Sequence, residues 1–345
     1  MRPQHSDDPP DMDRQSTRTA LALRLSVCAL IVLFVGFAVR LAFRPVERPL
    51  HLAINPWPGF EFAPLAEAKG FFRDEGVEVH LVEMASLSDS RRAFELGQVD
   101  GFFCTPVEWI VAEDHADRRA TAVLVTDASE GADVILVRDP TLTLDGLAGK
   151  RVAIERGSLH VLVLAEALRT VGRTIDEVEL VHLPAVDAPD AFRAGEVDAI
   201  VTYPPFSIDL RLNGEAHAVF STREIPGRVI DLLVIEESVA RKRSDDISRV
   251  RRAFFRAQRY AAEHPADALP IMANRFRLSV EAFAEALHDG IHLVTEEEQT
   301  QYLGAGGRLS DIMRMTREVL VAAGEIRSDG DAVTDATDRE GGPSQ

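Results

Sequence analysis

Basic charge is in short supply in this chain. Of 345 residues, 38 are Lys or Arg against 56 Asp or Glu, a formal net charge of −18. A nucleic-acid-binding face needs concentrated positive charge, so nucleic acid is not expected as a partner. Cysteine is scarce as well. Cys28 lies in an N-terminal apolar run and Cys104 at the end of a predicted strand, so no intrachain disulfide is expected, and no zinc-ligand spacing exists. There is no Ser-His-Asp grouping, no His-rich metal spacing and no cysteine cluster. The sequence therefore gives no support for an enzyme and calls for no metal or cofactor. Gly304-Ala305-Gly306-Gly307 has neither the following Lys-Ser/Thr nor the preceding strand of a phosphate loop.

Long apolar runs are missing too. The longest uncharged stretch near the N-terminus, Leu25 to Val39, is 15 residues between Arg24 and Arg40. A spanning helix needs about 17 to 25. Snorkelling arginines would extend the usable segment to 19–43. An uncleaved signal anchor is the preferred reading, which would attach the chain to the inner membrane with its larger part outside. The rival is a signal peptide cleaved near Gly36-x-Ala38, and acids at Asp7, Asp8, Asp11 and Asp13 weigh against it. Residues 1–18 read as a disordered tail, 44–48 as a Pro-containing linker and 327–345 as a second disordered tail.

What is present is a phrase that occurs twice. Ala93-Phe94-Glu95-Leu96-Gly97-Gln98-Val99-Asp100-Gly101 returns 98 residues later as Ala191-Phe192-Arg193-Ala194-Gly195-Glu196-Val197-Asp198-Ala199. Each copy reads as a helix end, a Gly cap, a turn and a buried strand, and each strand stops shortly before a proline. Two equivalent α/β units imply two lobes, with ligand held beyond the carboxyl ends of the strands. Asp231-Leu232-Leu233-Val234-Ile235 resembles Asp133 to Val137, and both are read as strands crossing between lobes. Lobe one then comprises 49–135 and 232–326, the latter with C-terminal helices. Lobe two comprises 136–231. Two crossings form a hinge.

The run Trp57-Pro58-Gly59 with Pro64, then Ala66-x-x-x-Gly70-Phe71-Phe72 and Gly76-Val77-x-Val79, resembles the opening of type II periplasmic solute-binding proteins. The nitrate, taurine, sulfonate and thiamine-pyrimidine (NMT1-like) group is the most similar. Gly97-x-Val99-Asp100, Lys150-Arg151-Val152-Ala153 with Gly157-Ser158, and Gly195-x-Val197-Asp198-Ala199 are similar to its later landmarks, in order, over about 49–325. The resemblance implies an α/β, two-lobed periplasmic-binding-protein type II fold. It also implies capture of a small-molecule ligand for an ABC importer whose permease and ATPase subunits are other chains. The alternatives are a ligand-sensing ectodomain, or an enzyme on the same fold of the pyrimidine-synthesis kind.

Candidate ligand contacts follow from position. Trp57, just past the first strand, can stack on a planar ligand, and Gly59 permits the turn beside it. Gly157-Ser158 opens a helix whose N–H groups suit an anion. Thr105 and Thr202 are read as an equivalent pair aimed into the cleft, with Tyr203 as an aromatic wall. Glu61, Glu108 and Asp231 could counter an amine. Arg156 and His160 are expected in solvated or packing roles. Arg156 and Ser158 favour an anion and the acids favour an amine or aminopyrimidine, so the ligand's charge stays open.

Overall fold

The computed structural model describes residues 48–116 and 118–327. The expected tail 1–18, the apolar segment 19–43 and all of the expected tail 327–345 except Arg327 lie outside the described residues. Among the described residues no helix is long and apolar enough to cross a membrane.

Eleven strands form two sheets among the described residues. They are β1 (Leu50–Ile54), β2 (Val79–Glu83), β3 (Gly101–Cys104), β4 (Ala120–Ser129), β5 (Val134–Val137), β6 (Arg151–Ile154), β7 (Glu179–His182), β8 (Ala199–Thr202), β9 (His217–Ser221), β10 (Ile230–Glu236) and β11 (Ile291–Leu293). The first sheet runs β11-β4-β10-β3-β1-β2 and the second β7-β6-β8-β5-β9. In each, three parallel strands (β2-β1-β3 and β7-β6-β8) are followed by two antiparallel ones (β10-β4 and β5-β9). The sheets are thus copies of one five-strand pattern, and β11 extends the first.

The repeated phrase has an architectural cause. Gly97 and Gly195 take φ of 71° and 77°, which glycine adopts at little cost, and so end their helices. The aspartate that follows locks the next strand into register. Asp100 accepts the His51 amide at 2.9 Å, and Asp198 accepts the Arg151 amide at 2.9 Å. Each therefore ties the end of one αβ unit to the first residues of the neighbouring parallel strand.

The changeovers between sheets fall at 130–133 and 222–229, not within strands. Val134–Val137 lies wholly in the second sheet and Ile230–Glu236 wholly in the first. The two connections are stitched together. The hydroxyls of Ser129 and Thr222 are 2.7 Å apart, and the Gly131 amide donates to Thr222 Oγ1 at 2.8 Å. The expected C-terminal helices are present. Helix Ser244–Glu263 packs on Phe62–Ala68, and helix Arg308–Ala322 lies against both Pro106–His115 of the first lobe and Leu159–Thr170 of the second.

Candidate functional site

Asn55 follows the last residue of β1 and Trp57 stands two residues on, where the chain turns through Pro58–Phe60. The indole N–H donates to Asp127 Oδ1 at 3.0 Å, and the Thr126 hydroxyl donates to Asp127 Oδ2 at 2.7 Å. Gly59 lies against that carboxylate, since a Cβ there would come within 2.0 Å of Asp127 Oδ2. Asp231 of β10 is the cross-strand partner of Asp127. From the second lobe, Tyr203 emerges past the end of β8 and meets Trp57 edge-on, ring centres 5.9 Å apart. His160 and Phe206 flank the Tyr203 ring at 5.6 and 5.4 Å.

These groups close around a cavity between the lobes lined by Asn55, Trp57, Phe60, Leu87, Asp133, Leu159, Tyr203 and Asp231. Its free volume is about 10 Å³, room for a single water. The lobes touch around it. Glu108 Oε1 accepts the Leu159 amide at 2.7 Å, and the Ser88 hydroxyl donates to the Arg156 carbonyl at 2.9 Å. The arrangement is a closed cleft.

Its electrostatics are one-sided. Burial pushes Asp133 and Glu155 up to about 7, and Asp127 up to about 6 against its bonds from Thr126 and Trp57. Burial and then the adjacent Asp127 hold Asp231 well above the carboxylate range. Burial also pushes His160 down to about 3, so it is neutral. Its Nδ1 accepts the Glu155 amide at 3.0 Å, which leaves the ring proton on Nε2. Several buried polar atoms have no hydrogen-bond partner: Asn55 Oδ1, Asp133 Oδ2, Asp231 Oδ2, Tyr203 OH, Thr202 Oγ1 and His160 Nε2.

Trp57, Tyr203 and Asp231 therefore line one cavity, whereas Gly59 is not in its lining and lies against the Asp127 carboxylate that holds the Trp57 indole. Thr105 differs from the expectation. Its hydroxyl accepts the Val107 amide and donates to Glu108 in a capping box at the start of Pro106–His115. Nor is it the counterpart of Thr202. The 98-residue offset pairs Thr105 with Tyr203 and Cys104 with Thr202, and the ladders agree, since Cys104 faces Leu232 and Thr202 faces Val134. Ser158 caps its own helix, accepting the His160 amide at 3.3 Å and donating to the Glu155 carbonyl at 2.9 Å. Gly157 supplies a positive φ of 62° before it. Glu108 holds the second lobe's helix rather than facing the cavity. Glu61 is buried away from it, paired with Arg275. Arg156 is exposed, as expected, and His160 packs in the cleft wall.

Asn55, Asp127, Asp133 and Glu155 were not anticipated. One signal existed for Asp133: it stands 98 residues before Asp231, the repeat's own offset.

Residues 57–268 match the family model described as NMT1/THI5 like. The chain belongs to the NMT1/THI5-like family. Among curated proteins, the aliphatic sulfonates-binding protein of Escherichia coli K12 is 35% identical over 85 residues, which span 24% of this chain and 27% of that protein. The alkanesulfonate-binding protein of Xanthomonas axonopodis pv. citri, solved with MOPS bound, superposes with a TM-score of 0.70 at 17% identity, covering 81% of this chain and 94% of that one. The periplasmic aliphatic sulphonate-binding protein of Escherichia coli gives 0.67 at 20% identity, over 82% and 94%. The periplasmic nitrate-binding protein of Synechocystis PCC 6803 gives 0.65 at 13%, over 84% and 85%. The fold is thus the periplasmic-binding-protein fold that the sequence implied. In this NMT1/THI5-like chain, the helix N-terminus at Leu159 already carries a carboxylate from the opposite lobe, Glu108.

Proposed function

We propose that this chain is a solute-binding protein that captures a small molecule between its two lobes and presents it to the permease and ATPase of an ABC importer. The observation that carries the reading is the closed cleft, where polar atoms from both lobes are buried without partners beside two aromatic rings. A fold does not retain such atoms without cost, because each unpaired buried group is unfavourable by about 1–3 kcal/mol. Binding sites keep them to meet a ligand. Family membership and the curated sulfonate-binding relative support the same reading. Trp57, Thr202, Tyr203 and Asp231 are proposed ligand contacts. Gly59, Thr105, Glu108, Gly157 and Ser158 shape the turn, the helix starts and the contact between lobes.

The segment 19–43 is proposed to tether the chain to the inner membrane, with the lobes on the periplasmic side. The test is a thermal-shift screen of the full chain against anionic, neutral and cationic solutes, with mass spectrometry of the recovered solute. A stabilising solute recovered unchanged supports binding. Conversion to a product would overturn it in favour of an enzyme on this fold.

A further inference from the structure

The cleft's charge is not that of an anion site. None of the residues lining the cavity is basic, and two are carboxylates, Asp133 and Asp231. They arise from equivalent places, since β5 and β10 hold the same position in the two sheets and the aspartates, 98 residues apart, directly precede the equivalent ladder positions Val134 and Leu232. One acid from each side therefore meets the ligand space, each with a buried oxygen lacking a partner. A third unmet acceptor is independent of the acids. Asn55 Oδ1 is fully buried on the cavity wall and accepts nothing, while its amide nitrogen is turned to the Pro56 carbonyl at 3.4 Å.

The feature that would attract an anion is already used. The helix start at Leu159 is bonded to Glu108 at 2.7 Å. A buried guanidinium, Arg91, approaches Gly157; one of its arms pairs with Glu95 and its Nε has no partner, but it is not among the residues that line the cavity. Burial favours the protonated form of both acids in the empty cleft; a cation would draw them into the carboxylate form by pairing with it, whereas an anion would find no opposite charge in the lining of a poorly screened interior. A cation with N–H groups would supply donors to three acceptors beside the Trp57 and Tyr203 rings that line the same cavity.

We infer that the solute held between the lobes is a small, flat organic cation with several N–H donors, bound to Asp133, Asp231 and Asn55 against Trp57 and Tyr203. This rests on the solute-binding reading and narrows it to one ligand class.

The test is calorimetric titration and thermal shift of the full chain with benzamidinium, 4-aminopyridinium and phenethylammonium chlorides. Ethanesulfonate, MOPS and sodium nitrate are run in parallel at matched ionic strength. The expected result is stabilisation by at least one cation and by none of the anions. Asp231→Asn and Asp133→Asn should each weaken that cation at least tenfold, about 1.4 kcal/mol, while leaving the unliganded melting temperature unchanged or higher. A variant that melts lower than the parent is replaced in the comparison by Asn55→Ala, which removes an acceptor without touching charge. Stabilisation by sulfonate or nitrate alone would overturn the cation assignment and leave the binding function standing. No stabilisation by either class would overturn both.

Discussion

Raising the pH should open the empty cleft, and Asp133 shows by how much. In the closed form burial lifts its carboxyl from 3.8 to about 7, with Ser129 opposing and the negative charges of Asp127 and Glu108 adding to the rise. In an open form water reaches it, and it returns toward the ordinary value near 4. The closed state thus binds this proton more tightly. That contribution to closure is complete below about pH 4 and is lost as pH rises through about 7. Between about pH 5 and about pH 8, a three-unit shift removes roughly 2.5 kcal/mol of support, about a hundredfold in the closed-to-open ratio. The facing groups act in the same sense. Glu155 on the loop after β6 sits at about 7, Asp127 on β4 at about 6, and Asp231 on β10 and Glu108 on Pro106–His115 are raised, all chiefly by burial. His160 is neutral across this range, and Tyr203 and Cys104 stay protonated because burial pushes both upward. The charges repel one another, so the contributions do not add, and the single-group figure sets the scale. Trp57 is the reporter, being 4% exposed in the closed form. With Trp109→Phe as background, its emission should shift to longer wavelength as pH rises, and Asp133→Asn should move that transition to higher pH. An emission maximum that is constant across the range, or a transition unmoved by Asp133→Asn, would refute the reasoning.

Tyr203→Phe removes a buried hydroxyl that has no partner. Denaturant unfolding should show unchanged stability or a gain of up to about 1 kcal/mol, while titration shows weaker ligand binding. Gly59→Ala drives a Cβ into the Asp127 carboxylate, so thermal melting should show a loss of about 1–3 kcal/mol. Asp100→Ala leaves the His51 amide without its acceptor and should cost about 1–3 kcal/mol by urea titration, with ligand affinity unaffected because the residue is remote from the cavity lining. Glu108→Ala strands the Thr105 and Leu159 amides; it should lower the melting temperature by the equivalent of about 2–4 kcal/mol, and added acetate should recover part of the loss in the variant but not in the parent.

The two-lobed fold was legible because its signals are local. Glycine caps, the turn aspartates and apolar strand cores repeat at a fixed offset, and each has one structural job. The exact changeover was less legible. Val134–Val137 and residues 232–235 are apolar on both faces, as buried strands are, so their pattern does not say which sheet takes them. β9 (His217–Ser221) and β11 (Ile291–Leu293) carried too little apolar periodicity to be anticipated, and pairing with β5 and β4 respectively holds them. The site was partly legible for a related reason. Trp57 and Tyr203 stand at strand ends, where ligands collect in this architecture. Asp127 lies inside a ten-residue strand, and a charged residue in a buried ladder runs against propensity, so the sequence pattern does not mark it. Such a violation is where function overrides packing.

The ligand's sign turns on one exchange that no linear pattern reveals. A helix start opened by Gly157-Ser158 reads as an anion cradle, and Glu108 reads as a counter-charge for an amine. Folding brings the two together and each cancels the other. What then decides the cleft's character is what remains unmatched in the cavity lining: oxygens of Asp133, Asp231 and Asn55, together with the Tyr203 hydroxyl. The capping box explains why Glu108 can do this reliably. Thr105 fixes Oε2 through its amide at 2.8 Å and its hydroxyl at 2.6 Å, which leaves Oε1 aimed across the gap at the Leu159 amide. A carboxylate held by its own helix start is spared much of the rotamer entropy that a mobile glutamate would lose on bridging two lobes. Closure therefore brings a preset ion onto a helix N-terminus and leaves the remaining carboxylates to a guest of opposite charge.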